Sequence, residues 1–211
     1  APALTPFEAA AILTAERNKH GVDRMAISGG EPTLNRAWLI RFFEELHRLN
    51  PDKKARLHLD TNATVLIPEF VDSLVEAGVT DVGPDLKGFK TETFMRITGI
   101  GDEKIARRYL ENAWSITKYI IDRYYPKPLF VGVGIPYNKY FITLKEIREM
   151  GERIADINPE VQVCLLDYFP TFRRVRLESP SVAEMKKAIV TLVETGLKTV
   201  LAQTTIGHLG P

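Results

Sequence analysis

The chain has 211 residues, is 45% hydrophobic and 26% charged, and carries 28 Lys plus Arg against 27 Asp plus Glu for a formal net charge of +1. That length suits one domain, 1–211, with a sizeable core, and the charge balance argues against a generic nucleic-acid or membrane-surface binder while leaving a local patch open. No apolar run approaches a membrane span, no secretory leader pattern opens the sequence, and one cysteine, Cys164, can form neither an internal disulfide nor a multi-thiolate metal site, so a cytoplasmic protein is expected.

Thr5-Pro6-Phe7-Glu8 predicts a capped helix start, with the helix running to about Lys19 and stopped by Gly21. A strand over Arg24–Ser28 follows and runs into Gly29-Gly30-Glu31-Pro32. Asn35 is placed to cap a helix to about Leu49, with Leu34 and Leu39 as a hydrophobic staple. Arg56–Asp60 alternates as a strand and ends in Thr61-Asn62, and a helix starts near Pro68 and stops at Gly78. Strand Thr80–Asp85 leads into Leu86-Lys87-Gly88. After a short helical turn over Thr91–Arg96, Asp102 caps a long helix to Tyr124 whose expected apolar face is Ile105, Tyr109, Ala113, Ile116, Ile120 and Tyr124.

Pro126 and Pro128 end that helix, and strand Leu129–Gly134 continues into Ile135-Pro136-Tyr137. Thr143 with Glu146 predicts a second capping box, for a helix to about Ile157, and Ser181 with Glu184 a third, for a helix ending at Gly196. Between those helices lies strand Val161–Leu166, in which Cys164 reads as a small buried hydrophobe, followed by Asp167-Tyr168 and a basic loop with Arg173, Arg174 and Arg176. Strand Thr199–Ala202 and a short tail complete the chain. Six strands alternating with helices predict an α/β fold with parallel strands, either an open doubly wound sheet or a whole or partial barrel.

Polar clusters recur just past the predicted strands: Gly29-Gly30-Glu31, Asp60-Thr61-Asn62, Asp85-Leu86-Lys87, Tyr137-Asn138-Lys139 and Asp167-Tyr168. In parallel α/β folds the carboxyl ends of strands share one rim, where ligands bind. Taken alone, Gly29-Gly30-Glu31 reads first as a strand-to-helix turn ending in an exposed acid. As one of several clusters on a rim, its glycines allow close approach to the backbone, and Glu31 suits an ammonium group.

Gly29-Gly30-Glu31-Pro32, Asp60-Thr61-Asn62, Asp85-Leu86-Lys87-Gly88 and Val163-Cys164-Leu165-Leu166-Asp167-Tyr168 stand in an order and spacing that resembles the radical S-adenosylmethionine enzymes, nearest to their pyruvate formate-lyase-activating branch. The resemblance covers nearly the whole chain and implies a partial (β/α)6 TIM-like barrel of parallel strands. It implies that S-adenosyl-L-methionine lies along the rim, with its methionyl amine at Gly29, Gly30 and Glu31 and its methionine and ribose moieties by Thr61 and Asn62. Asp85 and Lys87 would reach towards the amino-acid end, with ribose and adenine against Gly134, Ile135, Pro136, Leu166, Asp167 and Tyr168.

The family's reaction also implies a [4Fe-4S] cluster held by three thiolates, a reductant, and hydrogen abstraction from a protein glycyl residue, a peptide or a small molecule. The family's three-cysteine loop lies before its first helix; this sequence begins with that helix and has no such motif. The expectation is therefore a barrel lacking its first strand, an amino-terminally truncated core inactive by itself, with the cluster ligands in a parent protein.

Two other readings stay open. A Schiff-base enzyme could use Lys87 with Asp85 or Glu31 as acid–base partner, although neighbouring carboxylates favour the charged, non-nucleophilic amine. A cluster-less barrel could bind a nucleoside or a partner protein. His20, His47, His58 and His208 show no ligand spacing, and His58 reads as a packed or surface residue.

Overall fold

The computed structural model describes residues 3–170 and 176–211. Helix α1 (Pro6–His20) starts with a full capping box between Thr5 and Glu8 and ends on Gly21 in the left-handed region. It precedes β1 (Arg24–Ile27), a single 3-10 turn (Pro32–Leu34) and α2 (Arg36–Leu49). Then come β2 (Arg56–Thr61), α3 (Pro68–Glu76), β3 (Asp81–Pro84), α4 (Thr91–Thr98), α5 (Glu103–Tyr124) and β4 (Phe130–Tyr137). The chain closes with α6 (Leu144–Ile157), β5 (Gln162–Asp167), α7 (Val182–Val193), β6 (Val200–Thr204) and β7 (Gly207–Leu209).

The strands form one seven-stranded sheet in chain order, β1 to β7. Every pairing from β1 to β6 is parallel, and β7 turns back antiparallel on β6. The sheet curls into a half-barrel, the partial TIM-like α/β architecture that the alternation of elements and the family resemblance predicted. The seventh strand is an addition. The residues expected to trail as a tail form a hairpin instead, held where the Thr204 hydroxyl donates to the Gly207 carbonyl at 2.6 Å.

Alternation along each strand divides the sheet into two faces. Leu57 and Leu59, Val131 and Val133, and Val163 and Leu165 point outward and are buried beneath the helices. Their neighbours at even positions, among them His58, Asp60, Gly132, Gly134, Gln162 and Cys164, line the concave side. Phe42, Phe43, Phe94 and Trp114 fill the layer between helices and sheet. Parallel strands covered on one face by crossover helices are thus apolar outward, whereas the concave face is polar enough to hold a ligand.

Three local expectations change. Leu34 is 74% exposed, so it does not staple onto the buried Leu39; the 3-10 turn points it to solvent. The buried stripe of α5 starts at Ala106 and Leu110, not at Ile105 and Tyr109, because one helix position rotates the face that meets the sheet. Glu146 does not close a capping box on Thr143. Its buried carboxylate instead accepts from the Phe89 and Lys90 amides at 2.9 and 3.1 Å and from the Thr93 hydroxyl at 2.8 Å. It therefore caps α4, whose own N-cap residue Lys90 makes no side-chain cap bond.

Candidate functional site at the carboxyl rim

At the end of β1, Gly29 and Gly30 take φ of +86° and +59°, a left-handed pair that side chains disfavour. A Cβ built on either meets nothing within 4 Å, so the turn presents bare backbone to open space. The turn is pinned by the residue after it. One Glu31 carboxylate oxygen accepts from the Thr33 amide at 3.2 Å, the Thr33 hydroxyl, and the Thr61 hydroxyl at 2.7 Å. The other accepts from the Asn62 amide at 2.8 Å. Glu31 is thus a clamp between the ends of β1 and β2. The carboxylate expected to await an ammonium already holds four donors in this structure.

Thr61 and Asn62 are likewise engaged locally. The Thr61 hydroxyl also accepts from the Ala63 amide, and the Asn62 side-chain oxygen accepts from the Thr64 amide and hydroxyl. Asn112 of α5 holds the same loop by donating to the carbonyls of Ala63, Thr64 and Leu66. Thr61 and Asn62 therefore stand at the rim beside Glu31 with both side-chain oxygens, the Thr61 carbonyl and the Asn62 amide committed to the strand ends and the loop.

Asp85 is the exception. Its Oδ2 forms an ion pair with the Lys87 ammonium, but its Oδ1 is buried without a hydrogen-bond partner. A carboxylate oxygen in that position carries a desolvation cost until a donor arrives. The segment is joined to β4 by a bridge between Asp85 and Gly134, and the Leu86 amide donates to the Gly134 carbonyl at 2.8 Å. At Gly134 a built Cβ would stand 3.4 Å from Leu166 and 3.7 Å from the Asp85 Cα, so its bareness keeps this corner of the cavity open. The Lys87 amine, being paired with Asp85, offers no free nucleophile for a Schiff base.

The predicted β4 and β5 residues separate by parity. Gly134 and Leu166 line the concave cavity. Ile135 is fully buried on the helix-facing side, and Asp167 is also buried, with its carboxyl pushed above the usual range by that burial. Pro136 closes the strand end from a buried position. Tyr168 is half-buried and packs edge-on against Phe141 with ring centres 5.3 Å apart. Of that group, the bare Gly134 and the Leu166 side chain face the cavity, while Ile135 and Asp167 face away. Arg176 is exposed; Arg173 and Arg174 lie outside the described residues.

The cavity beneath the rim measures about 620 Å3 and is walled by residues that sequence reasoning did not single out. Arg24, His58, Gln162, Gln203 and His208 line it, as does Cys164, which is partly rather than fully buried. Burial nevertheless raises the Cys164 thiol above its ordinary value. The signal was present: stepping by two from Gly134 or Leu166 lands on Gly132 and Cys164. Using it required knowing which parity faces the concave side.

His58 is buried; the Arg24 Nη2 lies 2.8 Å from its Nδ1 and 3.2 Å from its Nε2, and Nε2 lies 2.7 Å from Asp60 Oδ1. A guanidinium only donates, so Nδ1 accepts and the ring proton sits on Nε2, donating to Asp60. Burial raises the Asp60 carboxyl, but the His58 ring, the Arg24 charge and the Ser28 hydroxyl outweigh it and leave it below its ordinary value. Among the described residues no three His, Cys, Asp or Glu side chains gather to hold a metal ion, and no helix is long and apolar enough to cross a membrane.

Comparison with known proteins agrees with this geometry. The family profile described as "Radical SAM superfamily" matches residues 2–139. The chain is similar to a probable GTP 3′,8-cyclase of Methanococcus aeolicus (30% identical over 95 residues, 45% of this chain and 31% of the relative). It is also similar to an AdoMet-dependent heme synthase of Methanosarcina barkeri (34% over 96 residues, 42% of this chain and 26% of the relative). The matches thus span about a third or less of these relatives. In fold it resembles a domain of pyruvate-formate lyase-activating enzyme from Bacteroides vulgatus (TM-score 0.66, 17% identity, 85% of this chain and 98% of that one). It also resembles Streptococcus suis SuiB solved with S-adenosylmethionine (TM-score 0.72, 14% identity, 96% of this chain and 44% of that one).

Proposed function

The chain belongs to the Radical SAM superfamily, and from that premise we propose that its carboxyl rim binds S-adenosyl-L-methionine as the core of a hydrogen-abstracting enzyme. The observation that carries the proposal is the orphaned Asp85 Oδ1, buried at the rim with no donor. A methionyl ammonium or a ribose hydroxyl supplies the missing hydrogen bond. The bare Gly29-Gly30 turn offers main-chain groups to the polar end of the same ligand, and Lys87 offers a cation to its carboxylate. Gly134 and Leu166 provide the flat and apolar surface that an adenine requires. Bound there and given one electron by a reductant outside this chain, S-adenosylmethionine would supply hydrogen-abstraction chemistry; these residues would hold it, orient it and exclude water around it.

The finer reading, an activase of the pyruvate formate-lyase-activating kind, rests on the order of the rim motifs and on the fold. It calls for a separate reductant and a substrate that is a protein glycyl residue, a peptide or a small molecule. A [4Fe-4S] cluster, which needs three thiolate ligands, does not fit the residues of this chain, which has the single cysteine Cys164. Without that second anchor, S-adenosylmethionine titrated into this chain is expected to bind saturably but weakly. The amide resonances of Gly29, Gly30 and Asp85 should move in NMR spectra, and Asp85→Ala should weaken the binding severalfold. Saturation that leaves those amides unmoved, or that Asp85→Ala leaves unchanged, would refute the proposal.

A further inference from the structure

Two arginines stand side by side on the concave face, Arg24 in β1 and its register partner Arg56 in β2. They differ in how their charge is met. Arg56 is paired through two nitrogens with the buried Asp81, the Nε–Oδ2 contact being 2.7 Å. Arg24 has no carboxylate within ion-pair distance among the described residues; its polar partner is the His58 ring, whose Nδ1 is the nearer nitrogen at 2.8 Å. The same Arg24 lines the cavity, and it is exposed to it.

The partner is itself built into place. His58 is turned to present Nδ1 by its Nε2 bond to Asp60, at 2.7 Å. That bond exists because Gly83 on β3 has no side chain: a Cβ there would stand 2.6 Å from Asp60 Oδ1 and 3.4 Å from His58 Nε2. Here φ is not positive, so the glycine serves close approach and not backbone conformation. Three strands therefore cooperate to hold one guanidinium by its Nη2, and the same arginine lines a cavity of about 620 Å3.

We propose that Arg24, held by the Asp60–His58 pair, is a subsite for the anionic group, a carboxylate or phosphate, of a small substrate lying in the concave cavity. The guanidinium fork matches either anion with paired hydrogen bonds, and His58 fixes its rotamer before the ligand arrives. Phe130, Leu166 and Leu201 supply apolar wall for the rest of the molecule. The inference deepens the rim proposal, on which it rests for placing the substrate beneath the cofactor. The anion site itself stands on Arg24, His58, Asp60 and Gly83 alone.

The test uses benzoate, phenyl phosphate and the neutral isostere benzamide, each titrated into the 15N-labelled protein and read at the Gly83 and Gly132 amides. Benzoate or phenyl phosphate should bind about tenfold or more tightly than benzamide, the factor expected for a hydrogen bond to a charged group. The tighter of the two names the anion. Arg24→Gln should erase the preference and Arg24→Lys restore part of it, with each variant's folded state read from the same spectra. Equal binding of anion and amide, no saturable binding of either anion, or a preference surviving Arg24→Gln would overturn the proposal. S-adenosylmethionine is titrated separately. Loss of its rim response with the anion preference intact would remove the rim reading alone, and the converse would remove the anion subsite alone.

Discussion

Replacing Glu31 by Gln tests the clamp that shapes the rim, and the geometry predicts which bond fails. One carboxylate oxygen serves the Thr33 amide and the Thr33 and Thr61 hydroxyls, while the other serves the Asn62 amide alone. A glutamine keeps most by placing its carbonyl oxygen at the triple site, so its NH2 group then faces the Asn62 N–H, donor against donor. The bond lost is the one from the glycine turn to the backbone beyond β2. A hydrogen bond to a charged group contributes about 1.5–3 kcal/mol, so Glu31→Gln should cost about 2 kcal/mol, or a fall of roughly 4–8 °C in Tm for a chain of this size. Glu31→Ala, which leaves the buried Thr33 and Thr61 hydroxyls without their acceptor, should cost about 4 kcal/mol. Chemical denaturation gives the energies, and hydrogen exchange at the Asn62 amide gives the location. If Glu31→Gln stays within about 0.5 kcal/mol of the parent, the range of an ordinary surface change, or Asn62 exchanges as before, the clamp is not holding the rim.

Three further outcomes follow from other contacts. Glu146→Ala should destabilise by about 3 kcal/mol, since two amides and a buried hydroxyl at the start of α4 lose their acceptor, whereas Glu146→Gln should stay within about 1 kcal/mol because the Thr93 hydroxyl can rotate and accept; equal losses in denaturant melts would contradict the trans-cap. Gly83→Ala should push Asp60 off His58 and cost about 1–3 kcal/mol, with the His58 ring nitrogens changing tautomer signature in 15N spectra; an unchanged ring spectrum would count against the Arg24–His58–Asp60 row. Glu184, bonded first by Lys139 and then by the Ser181 cap, has its carboxyl lowered to about 2 from 4.5. A lowered folded value means its stabilisation is full above about pH 4.5 and is lost as pH falls towards 2, so Glu184→Gln should flatten the stability profile within that window and not above it.

Much of the rim was legible because its signals are local. The capping boxes at Thr5 and Ser181 formed as spelled, and the Gly-Gly turn required nothing beyond two residues free to take positive φ. Glu146 shows the limit. Its spacing from Thr143 satisfies the capping-box pattern, yet the carboxylate reaches the start of α4 instead, because a buried acid goes where unpaired amides are densest. Glu31 was expected to meet an ammonium group, and pattern alone could not show that Thr33, Thr61 and Asn62 would converge on it.

The sequence by itself determined the alternation of strands and helices, and with it the shared carboxyl rim, since hydrophobic period and turn chemistry act within a few residues. Only the tertiary structure decided which face of each strand looks inward. That choice turned Cys164 from core to cavity wall, sent Ile135 and Asp167 away from it, and brought Arg24, His58 and Asp60 into one row across two strands with Gly83 of a third making room. The physical reason is that a strand's two faces are set by what packs on them, and the helices that claim the apolar face are contributed by residues far away in the chain.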